Sequence, residues 1–175
     1  QTYVVKSNHD DHFNKWLETA DPDKDQENSQ FFHWMRYNKE KYLKPNNTGF
    51  DQIDPFEFWA AHPDEQQGLK NIHLVKFLKR NDTVTVNGVE CSFHGDVGAS
   101  GGKGSPIAFA NAGLIAILGH SHSPGILHKI FVVGLNAYMD LEYKSGLDSW
   151  LHTNALIYPD GNVTLINIIK GRWYL

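Results

Sequence analysis

The side chains of this sequence best suited to hold metal ions or move protons are its histidines, and the densest group of them is Gly119-His120-Ser121-His122. The preceding apolar run, Leu114 to Leu118, reads as a buried strand. Two imidazoles therefore leave one strand end on the same side, with one small residue between them. Neutral imidazole is the commonest protein ligand for borderline metals. In an open α/β sheet, ligands at the carboxyl ends of strands converge on the crevice where substrates bind. A His-x-His pair placed there suits two neighbouring metal ions. Taken alone, such a pair is more often a surface or hydrogen-bonded one, so the reading depends on the rest of the chain.

Two other stretches carry similar chemistry. Asn8-His9-Asp10 follows a short predicted strand, Thr2 to Val5, and by itself reads equally as a strand-to-helix turn capped by Asn8 or Asp10. His94 leaves the second strand of a predicted hairpin, and by itself reads as a satisfied core histidine. Between His94 and the His-x-His pair lies a glycine-rich stretch, Gly95 to Ser105, whose register excludes a nucleotide-triphosphatase loop. Val97 stands where a glycine is needed five residues before Gly102, and Gly104 follows Lys103 where Ser or Thr is needed. The glycines would still leave backbone N–H groups free to approach an anion. Lys103 either reaches a phosphate from this loop or is a solvated charge.

The elements that must position these residues are legible in outline. Phe13, Trp16 and Leu17 at helical spacing predict a helix from Asp11 to the break at Asp21-Pro22. A second helix, about Gln26 to Leu43, carries Phe31, Phe32, Trp34, Met35, Tyr37 and Tyr42, read as packing residues in preference to a base-stacking platform. Lys44 to Asp51 reads as a loop, and Asp54-Pro55 opens a short helix through Ala60 with Asp54 as its cap. Strands are predicted at Ile72–Phe77, at Thr83–Val86 and Val89–Phe93 around Asn87-Gly88, and at Ile130–Val133. A further hairpin joins Ala155–Tyr158 to Val163–Ile169 around Pro159 to Asn162. Ser105-Pro106 starts a helix that ends at Gly113. Helices dominate the first half and hairpin strands the second, so the expected class is α+β. His152 and Asn154 could face a site; the remaining histidines read as structural or surface residues.

At 175 residues the chain is expected to form one domain, residues 1–175, around one core. Sixteen basic against 20 acidic residues leave a net charge of -4, which argues against a surface devoted to phosphate backbones; phosphate would have to meet a local site. The single cysteine, Cys91, excludes an internal disulfide framework and reads as a packed core thiol. No stretch has the length of a membrane span, and the first residues lack the regions of a signal peptide, so a cytoplasmic protein with no membrane partner is expected.

Asn8-His9-Asp10, His94-Gly95 and Gly119-His120-x-His122 together resemble, in type and order, the later motifs of the calcineurin-like metallophosphoesterases. Ser149-Trp150 and Tyr158-Pro159-Asp160-Gly161 are most similar to bacteriophage and bacterial members. The resemblance implies a dinuclear hydrolase with an αββα sandwich, two mixed sheets packed face to face and flanked by helices, here in partial form. It implies that Asn8, His94 and His120 ligate one metal and His122 the other. His9 would act as general acid or charge stabiliser at the leaving oxygen, with Asp10 orienting its ring. Two ions clamp the attacking and leaving oxygens and turn bound water into hydroxide. Mn2+ is the preferred ion for mixed N and O ligands, with Fe, Zn, Mg or Ni as alternatives. The implied activity is hydrolysis of a phosphodiester, a nuclease acting on DNA in a host cytoplasm. A phosphomonoesterase on nucleotides or phosphoprotein, and a catalytically incomplete interaction module, are the rival readings.

The family's first two motifs, Asp-x-His and Gly-Asp-x-x-Asp/Asn, supply the bridging carboxylate, and seven residues precede Asn8. The expectation is therefore a carboxyl-terminal portion of a longer enzyme, completed by an amino-terminal segment or a partner chain. Alone it would bind at most one ion weakly and be inactive. An exposed sheet edge would invite pairing with a partner or another copy.

Overall fold

The computed structural model describes residues 1–42, 54–62, 72–98, 101–139, 146 and 148–175. The loop expected over 44–51 lies outside the described residues. The chain forms two compact units, Gln1–Phe77 and Leu78–Leu175, each around its own apolar cluster. The class is mixed α and β. Among the described residues no helix is long and apolar enough to cross a membrane.

In the first unit, strand β1 (Thr2–Val4) pairs in parallel with β2 (Val75–Phe77). Ile72–Leu74, expected to begin that second strand, is a 3-10 turn leading into it. Helix α1 spans Asn8–Thr19 and starts three residues before the position expected from apolar spacing. The reason is local: the Ser7 hydroxyl accepts from the His9 N–H, and the Asp10 carboxylate accepts from the Ser7 N–H at 2.6 Å, closing a capping box. Helix α2 covers Ser29–Tyr42. Leu17, Phe32 and Met35 are buried between these helices, each contributing roughly 1.5–3 kcal/mol of transfer free energy. Around them Phe13, Trp16, Phe31 and Trp34 lie ring on ring, with centroids 6.0–6.4 Å apart. Most of the α2 aromatics thus serve packing, while Tyr37 is exposed.

Helix α3, Pro55–Ala60, opens as its Asp-Pro signature predicts: Asp54 Oδ1 accepts from the Phe56 N–H at 2.9 Å. The other oxygen of the same carboxylate accepts from Lys6 Nζ at 2.6 Å and from Asn14 at 3.2 Å, tying the segment between β1 and α1, α1 itself and the start of α3 together. Burial pushes the Asp54 carboxyl up, but these donors outweigh it and hold its pKa below the ordinary 3.8. A carboxyl whose folded pKa is depressed stabilises the protein above its unfolded pKa and loses that contribution as pH falls through the folded value. The helical circular dichroism of the first unit is therefore expected to fall below about pH 4. Asp54→Asn, which keeps a capping side chain without the charge, should flatten this dependence; an unchanged acid limb would rule out the Lys6–Asp54 pair as its source.

The second unit contains β3 (Thr85–Val86), β4 (Val89–Glu90), β5 (Ala116–Leu118), β6 (Gly125–Leu127) and β7 (Ile130–Val132), forming a five-stranded sheet in the order β3-β4-β5-β7-β6. The β3-β4 turn is the expected Asn87-Gly88 pair, both residues at positive φ (48° and 84°) as a two-residue hairpin turn requires. β4, β5 and β7 run parallel, and β6 returns antiparallel to β7. Helix α4, Pro106–Asn111, makes the β4–β5 crossover, capped by Ser105 and followed by Gly113 at φ 73°. Its Phe109 is buried with Ala116, Leu118, Ile130 and Val132.

The tail hairpin forms a separate antiparallel sheet of β8 (His152–Ile157), β9 (Val163–Ile169) and β10 (Arg172–Tyr174). Neither β6 nor β10 was expected, because their turns use His128 and Lys170-Gly171 in place of the Asn-Gly pair that signals such a reversal. Among the described residues the sheets number three, with five, three and two strands, of which the five-stranded one is mixed.

Candidate metal centre

The parallel pairing of β4 and β5 is what brings histidines together. After Glu90 the chain runs through Cys91, Ser92 and Phe93, whose ring packs on Phe109 at 5.6 Å. The carbonyl of His94 then accepts from the Gly119 N–H at 2.9 Å, so pairing continues past the named strands and sets His94 beside the end of β5. The rings of His94 and His120 meet with centroids 5.2 Å apart at an interplanar angle of 74°. Burial and the neighbouring Glu90 charge push the Cys91 thiol above its ordinary pKa, as suits a packing residue.

The turn after β5 is unusual. His120 has φ 61° and His122 φ 59°, and the Ser121 N–H donates to the Gly119 carbonyl at 2.8 Å, which makes His120 the centre of a γ-turn with positive φ. Non-glycine residues in this region cost of order 1–3 kcal/mol each and persist only where the surroundings hold them. The two rings of the pair have different neighbours. His120 faces His94, whereas His122 meets the Trp150 ring edge to face at 4.9 Å and 83°. The same turn is tied to residues 148–151 by a Ser123–Ser149 hydroxyl contact of 2.7 Å and by the Leu151 N–H donating to the His122 carbonyl at 3.4 Å.

The described residues of the glycine-rich stretch fold back on one another. Val97 and Lys103 form an antiparallel bridge. The amides of Gly98, Gly101 and Gly104 donate to the carbonyls of Gly102, Gly98 and Asp96, so these three are engaged within the loop, contrary to the expectation of free amides. Gly104 crosses so close to Gly95 that a Cβ there would lie 1.9 Å from the Gly95 carbonyl oxygen. Lys103 is exposed on this hairpin, and residues 99–100 lie outside the described residues.

Arg80 Nη1 donates to Asp96 Oδ1 at 2.7 Å. Burial raises the Asp96 pKa, but the guanidinium, with a smaller contribution from His94, holds it below the ordinary carboxylate range. Sequence reasoning missed this pair, because nothing in the sixteen-residue separation marks it.

Asn8, His9 and Asp10 lie in the first turn of α1, in the first unit. His9 is exposed, with its ring 6.0 Å from that of His12. Asp10 Oδ2 accepts from both the Ser7 N–H and the Ser7 hydroxyl; the stretch is a helix start, with Ser7 as the cap in place of the expected Asn8 or Asp10 and Asp10 closing the capping box from the third helical position. His152 Nε2 lies 2.7 Å from the Ala137 carbonyl oxygen.

An ion about 2.1 Å from an imidazole nitrogen sits roughly 3.2 Å from the ring centroid, so two rings on one ion at tetrahedral to octahedral angles have centroids about 4.5–5.2 Å apart. The 5.2 Å separation of His94 and His120 fits that range. Among the described residues no group of three or more His, Cys, Asp and Glu side chains is placed to hold a metal ion. The pair can therefore offer two nitrogen ligands, and a complete shell needs oxygen ligands from elsewhere.

No family model matches the chain, and no solved structure matches it. The chain is similar to a protein of Escherichia phage T5 named Protein A1, 28% identical over 176 residues, an alignment covering 99% of this chain. It spans 30% of the length of that curated relative.

Proposed function

We propose that this chain forms part of a metal-dependent phosphoesterase, with His94 and His120 as two nitrogen ligands of one divalent ion and His122 as a ligand of a second. The observation that carries the reading is the meeting of His94 and His120 at the carboxyl ends of adjacent parallel strands, on a turn where two histidines adopt positive φ. Strained non-glycine backbone of this kind concentrates at functional sites.

The reaction we assign is hydrolysis of a phosphodiester in DNA, within a host cytoplasm, by water activated on Mn2+. The choice of DNA rests on the resemblance to phage-type metallophosphoesterases. Roles for Asn8 as a ligand, His9 as general acid and Asp10 as its orienting carboxylate rest on the same resemblance. So does the face-to-face sandwich of mixed sheets. Lys103 is assigned to the substrate phosphate on its charge and exposure. The carboxylates that two cations require to sit together are assigned to a further polypeptide segment or a partner chain.

Bis(4-nitrophenyl) phosphate and 4-nitrophenyl phosphate, each offered with Mn2+ to the complete enzyme that carries this chain together with those carboxylates, separate the readings. Faster hydrolysis of the diester supports the nuclease, and faster hydrolysis of the monoester supports the phosphomonoesterase. Hydrolysis of neither, with no retained Mn2+, would leave the non-catalytic interaction module as the function of this chain.

A further inference from the structure

We infer that β10 is an interface strand, pairing antiparallel with β10 of a second copy of this chain about a two-fold axis at Trp173. The tail sheet has two outer strands, and one of them is already engaged. Beyond β8 the Gly134 N–H donates to the Thr153 carbonyl at 3.0 Å and the Leu135 N–H to the Leu151 carbonyl at 2.9 Å, so that edge is taken. The three residues of β10 are all exposed, Trp173 at 69% and Tyr174 at 48%.

The hairpin register decides which backbone groups the open edge presents. β9 and β10 are joined by Lys170-Gly171, both at positive φ (50° and 75°), and Ile169 stands opposite Arg172 across this turn. A two-residue turn of this kind is closed by a hydrogen-bonded pair, and antiparallel pairs then alternate between bonded and non-bonded. Arg172 and Tyr174 therefore direct their N–H and C=O groups at β9, whereas Trp173, opposite Ile168, directs both outward. With the axis at Trp173, the two copies of this residue exchange both backbone bonds, and Arg172 stands opposite Tyr174 of the second copy. The guanidinium then lies beside a phenol ring, a favourable cross-strand pair. An axis one residue earlier would set the two copies of Arg172 against each other, which like-charge repulsion disfavours. At the exposures given, Trp173 and Tyr174 together offer roughly 200–300 Å2 per copy. That belongs with the small interfaces below about 1,200 Å2, so the dimer is a reversible one.

Sedimentation equilibrium of the 175-residue chain tests the pairing. Over protein concentrations from roughly 1 μM to 1 mM, where a small interface assembles, the mass is expected to rise from 19.9 kDa towards twice that value. Trp173→Pro removes the outward N–H and leaves the bonds to β9 in place, the arrangement in which an edge strand tolerates proline. It should stay monomeric with unchanged far-ultraviolet circular dichroism. Trp173→Lys, which sets two like charges across the axis, should weaken the dimer by about tenfold or more, and carries the comparison should the proline variant not fold. The register is read by disulfide trapping in a Cys91→Ser background. Arg172→Cys mixed with Tyr174→Cys should give a covalent heterodimer under mild oxidation, whereas neither protein alone should give a homodimer. A mass of 19.9 kDa at every concentration would overturn the inference, as would association that Trp173→Lys leaves undiminished. Covalent homodimers of Arg172→Cys would overturn the axis at Trp173.

Discussion

Replacing His120 by alanine is expected to lower the affinity of the chain for Mn2+ or Ni2+ by more than the 10–100-fold that loss of a supporting partner brings, because it removes one of the two nitrogens that the site offers. His94, left without its partner ring at 5.2 Å, would be the single imidazole ligand of that ion. Elemental analysis of the metal-loaded and desalted protein reads this directly, and undiminished metal would end the ligand role of His120. A second substitution separates chemistry from backbone. His120→Gly should lose metal to the same extent yet be about 1 kcal/mol more stable to urea than His120→Ala, since glycine adopts φ 61° without the Cβ clash that alanine retains. The usual order is the reverse, with alanine the more stable residue. Equal stability of the two variants would show that the turn relaxes when the ring is gone.

In the complete enzyme that carries this chain, His9→Ala is expected to lower turnover of a diester substrate by roughly two orders of magnitude or more, the contribution typical of a placed general acid, while bound metal persists. The position of His9 makes the measurement clean. It is the second residue of α1, its side chain is exposed, and its backbone N–H donates to the Ser7 hydroxyl, a bond that alanine keeps. The fold should therefore lose no more than about 0.5 kcal/mol, the range of ordinary surface substitutions. Asp10 offers no such separation. Its carboxylate closes the capping box on Ser7, so Asp10→Ala costs about 1 kcal/mol of helix stability along with any effect on chemistry. Unchanged turnover in His9→Ala would remove His9 from the mechanism.

The parts of the fold that could be read from the chain are those set by neighbours in sequence. Asp54-Pro55 and Ser105-Pro106 opened helices as expected, because a cap needs only its own side chain and the next two or three amides. Asn87-Gly88 closed its hairpin because both residues tolerate positive φ. Where the start of α1 was misplaced, the apolar spacing beginning at Phe13 outweighed a capping box that Ser7 and Asp10 spell out three residues apart. The turns at His128 and Lys170-Gly171 lacked the residues that announce a reversal, and β6 and β10 went unread with them.

By itself the sequence determined the class, the caps, the main hairpins and the clustering of His-x-His after an apolar strand, since each of these depends on groups a few bonds apart. The meeting of His94 with His120 was decided by the tertiary structure, through the parallel register of β4 and β5. So were the engagement of the glycine amides that the loop was expected to leave open, the Arg80–Asp96 ion pair and the placement of Trp150 on His122. These are contacts between residues 16 to 28 positions apart, or between backbone groups whose direction depends on φ. Which of many such contacts forms is set by burial of the shared core of Phe109, Ala116, Leu118, Ile130 and Val132, a property of the packed sheet that no short stretch contains.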